Sequence, residues 1–125
     1  MFAGSRKAVV AVSGGADSVA TLLLLLELRE SLGLDLVACH FDHQLRPDSS
    51  QDLTYVRGLC ERLGVPCRTG EGDVRGVARS QKAGIEETAR QMRYQFLAFV
   101  AERESADCVV TGHTADDQAE TILLR

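Results

Sequence analysis

The sequence predicts an α/β domain with a doubly wound parallel sheet and helices on both faces. Short β-branched runs without a helical period, such as Lys7–Val12, have the length of buried strands. Longer segments with apolar residues at helical spacing separate these runs, and glycines end them. Because crossovers between parallel strands are right-handed, this alternation predicts a parallel sheet that is covered on both sides.

The first half of the chain contains the clearest elements. After the strand over Lys7–Val12, a leucine-rich helix is expected over Val19–Ser31, and we expect it to be covered on more than one side. Asp35–Phe41 has the length and apolar content of a second strand. The next helix is predicted from the capping sequence Ser49-x-x-Asp52 to about Leu63.

The second half continues the alternation. Val65–Thr69 predicts a third strand, and Pro66 places it at a sheet edge. The remaining predicted elements are a short helix near Asp73–Ser80, a helix over Ile85–Glu102, a strand over Asp107–Thr111 and a helix opening over Thr114–Arg125. The long helix carries one apolar stripe, formed by Ile85, Ala89, Met92, Phe96 and Phe99. Because no internal repeat or linker is present, we expect one domain over residues 1–125. The last helix has no stop signal, so we expect this domain to be truncated at its carboxyl end.

Composition indicates an ordinary soluble globular domain, since 45% of the 125 residues are hydrophobic and 26% are charged. Lys and Arg total 14 against 18 Asp and Glu, which gives a net charge of −4. The domain therefore lacks the overall basic character of a polyanion-binding protein, and any nucleic-acid contact must be local or supplied by another domain. No apolar run is long enough to span a bilayer or to form a secretory signal, so we expect a cytoplasmic protein without membrane contact.

The four cysteines are scattered and form no C-x-x-C pair. Neither a zinc knuckle nor a dithiol redox motif is therefore present, and buried reduced thiols are expected. Enzymes that carry sulfur to RNA usually keep a cysteine pair, and this chain has none at the expected spacing.

A phosphate-binding loop is predicted between the first strand and the first helix. Its residues are Ser13, Gly14, Gly15, Ala16, Asp17 and Ser18. At this place an α/β sheet presents backbone N–H groups and a helix N-terminus to an anion, and glycines let the main chain approach phosphate oxygens. A carboxylate here fits a Mg²⁺ ion that bridges to phosphate, although Asp17 also suits the first turn of a helix without any ligand.

Two common nucleotide motifs are excluded at this loop. No Gly-Lys-Ser/Thr sequence follows, so the loop is not a Walker A motif, and it is not G-x-G-x-x-G either. The sequence Ser13-Gly-Gly-Ala-Asp-Ser18 instead resembles the PP-loop of the N-type ATP pyrophosphatases, which have the adenine nucleotide alpha hydrolase-like fold and cleave ATP between its α- and β-phosphates.

Three further segments narrow the resemblance. They are His40-Phe-Asp-His-Gln-Leu-Arg-Pro-Asp-Ser49, Ile85-Glu-Glu-Thr-Ala-Arg-Gln-Met-Arg-Tyr94 and Thr111-Gly-His-Thr-Ala-Asp-Asp-Gln-Ala-Glu-Thr121. Together they resemble the tRNA(Ile)-lysidine synthetase family over nearly the whole chain. The resemblance implies ATP and Mg²⁺ as cofactors, adenylation of a cytidine in the CAU anticodon of tRNA(Ile), attack by L-lysine with release of AMP, and a homodimer.

Two alternatives stay open at this point. A tRNA thiolation enzyme of the same superfamily would activate the base in the same way and then deliver sulfur, and the absent cysteine pair argues against it. A nucleotide-binding module without catalysis would have no evident use for Asp17 together with His113-x-x-x-Asp117.

The resemblance also implies roles for particular side chains. Adenine is expected at the end of the second strand beside His40 and Phe41, which are otherwise ordinary core strand residues. Arg93 is expected to contact phosphate or the tRNA-derived substrate. The alternative is that Arg90 and Arg93 belong to an ordinary solvated helix face. Glu86 lies four residues before Arg90 and is placed to form an ion pair with it.

A last group of polar residues follows the fourth strand, at the carboxyl edge of the predicted sheet. His113 and Asp117 are four apart, and Asp117 is a candidate partner for Mg²⁺ or the attacking amine. Thr114-x-x-Asp117 is also a capping box, and both roles are compatible. Scattered basic residues could face RNA, namely Arg46, Arg75, Arg79 and Lys82.

Overall fold

The computed structural model of the protein describes residues 6–113 and 118–123, with side chains described over residues 6–111. The strands are β1 (Arg6–Ala11), β2 (Leu34–Asp42), β3 (Cys67–Glu71), β4 (Cys108–His113) and β5 (Gln118–Leu123). The helices are α1 (Ala16–Leu32), α2 (Ser49–Leu63), α3 (Val74–Gln81) and α4 (Ile85–Arg103). The strand order is β3-β2-β1-β4-β5, and β1 to β4 run parallel, as predicted.

Helices cover both faces of the sheet, so the doubly wound architecture is confirmed. On one face Leu22 of α1 and Val56 of α2 pack with Val10 of β1, the central strand, in one apolar cluster. On the other face Leu97 of α4 packs with Val9 in a second cluster. Alternate residues of β1 thus enter opposite clusters, which explains why this strand is apolar throughout its middle.

The central strand β1 marks the point where the chain changes direction across the sheet. β1 pairs with β2 on one side and with β4 on the other. The chain first moves outward through β2 to β3 and then returns to β4 on the far side of β1. In parallel sheets such a switch point leaves a crevice at the carboxyl ends of the strands, where ligands bind.

Strand β3 lies at the sheet edge, as Pro66 predicted, and pairs with β2 alone among the described strands. The other edge differs from the prediction. Gln118–Leu123 does not continue a helix but forms β5, antiparallel to β4, with Val109 opposite Ile122. Without β5, the N–H and C=O groups on the outer side of β4 would be unpaired, so strand pairing at this edge outweighs the local helical pattern.

Three local predictions about helices were wrong. Helix α1 leaves four leucines exposed, at 39–55%: Leu23, Leu24, Leu28 and Leu32. On α4 the two ends of the expected stripe, Ile85 and Phe99, are exposed, while the fully buried residues are Thr88, Leu97, Val100 and Ala101. The predicted capping sequence Ser49-x-x-Asp52 does not cap α2: the N-cap is Asp48, which makes no side-chain capping bond, and Asp52 pairs with Arg46. No helix in the described part of the chain combines the length and the apolar content needed to cross a membrane.

An ion-pair triad ties three elements together at the amino end of the sheet. The carboxylate of Glu104, just after α4, contacts Lys7 Nζ of β1 at 3.1 Å and Arg68 Nε of β3 at 2.8 Å. The Glu104 side chain is 14% exposed, so the pairs are partly shielded from water. Hydrogen bonds from Arg68 and then from Lys7 hold the pKa of Glu104 below its usual value.

We expect Glu104→Gln to lower the free energy of unfolding by about 1 kcal/mol at neutral pH, because two partly shielded ion pairs are lost. Since the pKa of Glu104 is lower in the folded than in the unfolded state, its stabilisation is present above the unfolded pKa and is lost as pH falls through the folded pKa. Urea unfolding at several pH values should therefore show the difference from wild type shrinking as the pH falls below about 4. Glu102→Gln, on the exposed side of α4, is the matched control; equal losses for both variants would contradict the role of the triad.

Candidate functional site

A cavity of about 400 Å³ opens at the carboxyl edge of the sheet, a size typical of small-molecule sites. The loop after β1, the end of β2, the start of α2 and the middle of α4 surround it. The described lining residues are Ala11, Val12, Ser13, Gly14, Gly15, Ser18, Cys39, His40, Phe41, Asp42, His43, Arg46, Ser49, Asp52, Ala89, Arg93, Leu97 and Thr111. The cavity thus lies where the strand order predicts a ligand crevice.

The loop Ser13–Ser18 forms one wall of this cavity. Gly14 has a φ of +103°, a backbone conformation that side-chain-bearing residues rarely adopt. A Cβ atom at Gly14 would lie 3.5 Å from Cβ of Asp52, so the loop runs close against the first turn of α2. Gly15 is the N-cap of α1 and makes no side-chain capping bond. The backbone path is therefore the one that a close approach to an anion requires.

The hydroxyl of Ser18 organises the loop from within. Ser18 is 4% exposed, and its Oγ accepts hydrogen bonds from the N–H groups of Ser13 and Gly14 at 3.1 and 3.3 Å. The same hydroxyl donates to the carbonyl of Gly15 at 3.0 Å. Ser13 is exposed, and its Oγ accepts from Gly15 N–H at 3.3 Å. Ser13 Oγ also donates to Ser18 Oγ at 3.1 Å, so both hydroxyls support the loop, although Ser13 is exposed and Ser18 is buried.

Ala16 and Asp17 begin α1 directly behind the loop. Asp17 is half-buried in the first helical turn, and its side chain is not among the cavity-lining groups. Among the residues whose side chains the structure describes, the carboxylates that line the cavity are those of Asp42 and Asp52. The assignment of Asp17 to Mg²⁺ remains a prediction, and two further acidic groups are available at the same edge.

His40 and Phe41 both line the cavity at the end of β2, and their assignment to adenine stays a prediction. His40 is 5% exposed, and its Nδ1 lies 2.8 Å from the carbonyl oxygen of Val12. Because a carbonyl only accepts, Nδ1 carries the proton in this contact. Phe41 packs against Phe96 with ring centroids 5.7 Å apart. The imidazole is therefore a hydrogen-bonded core group that also borders the cavity.

The segment after β2 folds over the cavity through local turns. Asp42 Oδ1 accepts from Gln44 N–H at 3.0 Å, an Asx-type turn that accompanies the left-handed φ of 56° at Gln44. His43 Nδ1 accepts from Leu45 N–H at 3.0 Å. Burial, followed by the nearby guanidinium of Arg46, lowers the pKa of His43. Both effects favour the neutral form of the His43 imidazole.

The long helix α4 contributes the opposite wall. Arg93 lines the cavity, whereas Arg90 does not, and the assignment of Arg93 to a phosphate or to the tRNA-derived substrate stays a prediction. Both guanidinium carbons lie 5.6 Å from the ring centroid of Tyr94. The expected Glu86–Arg90 ion pair is absent from the described ion pairs. Arg93 is thus an exposed cation at the cavity wall that also contacts the ring of Tyr94.

His113 is the last residue of β4, so its backbone lies at the carboxyl edge of the sheet. Its side chain lies outside the described side chains, and Asp117 lies outside the described residues altogether. The proposed roles of His113 and Asp117 therefore remain predictions.

Sequence reasoning missed several residues that the fold brings to the cavity, namely Asp42, His43, Arg46, Ser49 and Asp52. Arg46 was assigned to a group of basic residues that could face RNA. Four of these five residues belong to the segment His40–Ser49, which carried the family resemblance. Its high density of polar groups between a buried strand and a helix was the available signal.

Curated relatives with high similarity are tRNA(Ile)-lysidine synthases. The enzyme of Thermus thermophilus is 47% identical over 117 residues, which cover 94% of this chain and 22% of that protein. A Bacillus cereus protein is 44% identical over 118 residues, covering 94% of this chain and 25% of the relative. The Clostridium perfringens protein is 37% identical over 126 residues, which cover 100% of this chain and 27% of the relative. The chain thus spans about a quarter of the length of these relatives.

A solved structure shares the fold. It is the U34-tRNA thiolase NcsA from Methanococcus maripaludis with its [4Fe-4S] cluster, which matches with a TM-score of 0.77. The match covers 91% of this chain and 40% of that chain at 21% identity. At this identity the likeness supports the architecture and carries no information on the reaction.

The family assignment rests on the sequence as a whole. Residues 2–125 match the PP-loop domain family, and this range includes the loop, both walls of the cavity and the end of β4. The geometry of the loop at the switch point agrees with that match. The chain belongs to the PP-loop domain family.

Proposed function

We propose that this domain binds ATP in the described cavity and cleaves it to AMP and pyrophosphate, in order to activate the anticodon cytidine of a CAU-anticodon tRNA(Ile) for attack by L-lysine. The observation that carries the proposal is the PP-loop, which lies at the switch point of the sheet and borders a cavity of ligand size. The tRNA(Ile)-lysidine synthase relatives at 37–47% identity support the choice of reaction.

The cavity divides into two regions that match the two ends of ATP. The loop Ser13–Ser18 supplies backbone N–H groups and the N-terminus of α1, which suit the phosphates. The end of β2 supplies the aromatic surface of Phe41 and backbone groups beside His40, which suit the adenine ring. The α-phosphate then lies between these regions, within the space that Arg93 of α4 also borders.

The donor set of the site fits Mg²⁺. This ion is usually held by one or two carboxylates together with substrate phosphates and water, rather than by a complete protein cage. Asp17 at the start of α1, and Asp42 and Asp52 on the cavity wall, are the acidic groups near the loop. When bound, the ion would neutralise charge on the phosphates, and we assign Asp17 as its protein ligand, with Asp117 as a second candidate.

The second half of the proposed reaction needs an amine and an RNA base beside the α-phosphate. We assign Arg93 to the phosphate of the adenylated base, and His113 and Asp117 to the side of the site where lysine attacks. The net charge of −4 makes this domain alone a poor surface for tRNA, so we assign most tRNA binding to other parts of the protein. We also propose that the protein forms a homodimer, as the family resemblance implies.

The cysteines favour amine transfer over sulfur transfer. Cys39 is the described cysteine that lines the cavity, but it is fully buried, and burial raises its pKa far above neutrality. Cys67 has its pKa lowered to about 7 by hydrogen bonding with Cys60, yet neither residue lines the cavity. A thiolate suited to carry sulfur is therefore not placed at the site by the described residues.

The proposal is tested with the complete natural polypeptide that carries this domain, unmodified tRNA(Ile) transcript, labelled L-lysine and Mg·ATP. We expect lysine incorporated into the RNA, with one pyrophosphate and one AMP released per lysine. A tRNA in which the anticodon cytidine is replaced by uridine is the control and should accept no lysine. Release of pyrophosphate without lysine on the RNA would contradict the lysine acceptor step and direct attention to sulfur donors.

We expect Gly14→Ala to weaken ATP binding at least about tenfold, because a side chain is strained at a φ of +103° and lies against Asp52 in this loop. Isothermal titration calorimetry measures the change. Gly58→Ala is the matched control, since its new methyl group would meet the flexible end of Arg62 in α2, outside the cavity. Equal ATP affinity in both variants would contradict the phosphate role of the loop.

We expect Asp17→Asn to raise the Mg²⁺ concentration needed for half-maximal pyrophosphate release by about tenfold or more, because a neutral amide is a much weaker ligand for a hard cation. Asp35→Asn, on the exposed start of β2, is the control and should leave the Mg²⁺ dependence unchanged. Circular dichroism of both variants checks that the fold is retained. An unchanged Mg²⁺ dependence in Asp17→Asn would remove Asp17 from the metal site.

A further inference from the structure

We propose that Arg46, which pairs with Asp52 beside the PP-loop, is a polyphosphate-binding residue and that it binds the pyrophosphate portion of ATP. The inference rests on the proposed function and adds to it a specific residue for the leaving group. Its basis is the juxtaposition of three groups on one wall of the cavity: the guanidinium of Arg46, the carboxylate of Asp52 and the backbone of Gly14.

The distances link these groups in a chain. Arg46 Nη2 lies 2.8 Å from Asp52 Oδ2. Cβ of Asp52 lies 3.5 Å from the position that a Cβ atom on Gly14 would occupy, and its Cγ and Oδ1 lie 3.7 Å from it. The carboxylate of Asp52 thus lies between the guanidinium of Arg46 and the loop that we assign to the phosphates.

The backbone of Arg46 is fixed, while its side chain is exposed. Its carbonyl accepts the N–H of Ser49 at 3.1 Å, and the turn at Asp42 and Gln44 sets the path that leads to it. The side chain is nevertheless 59% exposed and contacts Asp48 only at 3.9 Å. A guanidinium on a fixed backbone with an exposed side chain can exchange one anionic partner for another without refolding the loop.

The balance of charges favours this exchange. An exposed ion pair such as Arg46–Asp52 contributes little to stability, because water solvates both groups well. A phosphate group offers more charge than a carboxylate and accepts two parallel hydrogen bonds from guanidinium. The carboxylate of Asp52 beside Gly14 would also repel a polyphosphate unless a cation lies between the two groups. Arg46 supplies that cation from this wall, whereas Arg93 lies on the opposite helix.

The position of Arg46 suits a role in breaking the bond between the α- and β-phosphates of ATP. In the activation step an oxygen of the base attacks the α-phosphorus, the new O–P bond forms, and the bond between this phosphorus and the bridging oxygen breaks. Pyrophosphate leaves with the electron pair of that bond. A guanidinium on the β- and γ-phosphates stabilises the charge that accumulates there. Arg46 therefore acts on the leaving group, while Arg93 borders the region assigned to the α-phosphate.

The experiment measures binding of Mg·pyrophosphate, Mg·ATP and AMP to the complete polypeptide by isothermal titration calorimetry. We expect Arg46→Met to weaken pyrophosphate and ATP binding by about tenfold and AMP binding by less than about twofold, because AMP lacks the phosphates that Arg46 contacts. Arg46→Lys should restore part of the pyrophosphate affinity, since the charge is kept without the planar fork. Arg62→Met, on the exposed side of α2 outside the cavity, is the control and should match wild type for all three ligands.

The outcomes separate this inference from the function on which it rests. Wild-type binding of ATP and pyrophosphate, with unchanged affinities in Arg46→Met, would overturn the role of Arg46 and leave the proposed function intact. An equal loss for AMP and pyrophosphate in Arg46→Met would show a structural role for Arg46 and would also overturn the inference. Wild-type protein that binds neither ATP nor pyrophosphate would overturn the proposed function and this inference together.

Discussion

The parallel pairing of β1 with β2 on one side and with β4 on the other places the whole candidate site. Because β1 is the central strand, the loop that follows it lies at the carboxyl edge with a strand end on each side. Val12 extends this pairing by donating to the carbonyl of Cys39 at 2.8 Å, and its own carbonyl accepts from His40. The start of the PP-loop is therefore fixed by backbone and imidazole hydrogen bonds, and the neighbouring strand end supplies the other half of the cavity.

Hydrogen bonds within the loop hold its shape. The hydroxyl of Ser18 accepts two backbone N–H groups and donates to a third residue of the same loop, so these polar groups have partners in the folded protein. Such internal hydrogen bonding reduces the ordering that nucleotide binding requires. The exposed hydroxyl of Ser13 accepts the N–H of Gly15, and a phosphate oxygen at this position would replace a neutral acceptor with a charged one. The N–H groups of Ser13 and Gly14 are thus bonded to a buried hydroxyl, whereas the N–H group of Gly15 is bonded to an exposed hydroxyl that a phosphate oxygen can replace.

Charge is distributed unevenly around this loop. Asp42 and Asp52 line the same cavity as Arg46 and Arg93, so the site presents both signs although the domain is acidic overall. This mixture suits a bound Mg·ATP better than a simple anion, because acidic groups fit the metal side of the complex and guanidinium groups fit the phosphate side.

Much of this arrangement could be predicted from local sequence. The strand and helix order, the edge position of β3 and the phosphate loop follow from apolar periodicity, Pro66 and two glycines after a strand. The contact between Asp52 and Gly14 could not be predicted, because it joins residues 38 positions apart through helix packing. For the same reason Asp52 was interpreted as a capping residue. Strand β5 was also missed, since its pairing depends on the open edge of β4 rather than on its own sequence.

The central claim is that the triphosphate of ATP lies on the PP-loop, with adenine at the end of β2. A crystal structure of the complete polypeptide with Mg²⁺ and α,β-methylene ATP, which cannot be cleaved at the α–β position, tests it most directly. We predict β- and γ-phosphate oxygens within hydrogen-bonding distance of the backbone N–H groups of Gly15 and the first turn of α1, and the adenine ring beside Phe41. A nucleotide bound outside this cavity, or with its phosphates directed away from the loop, would contradict the account.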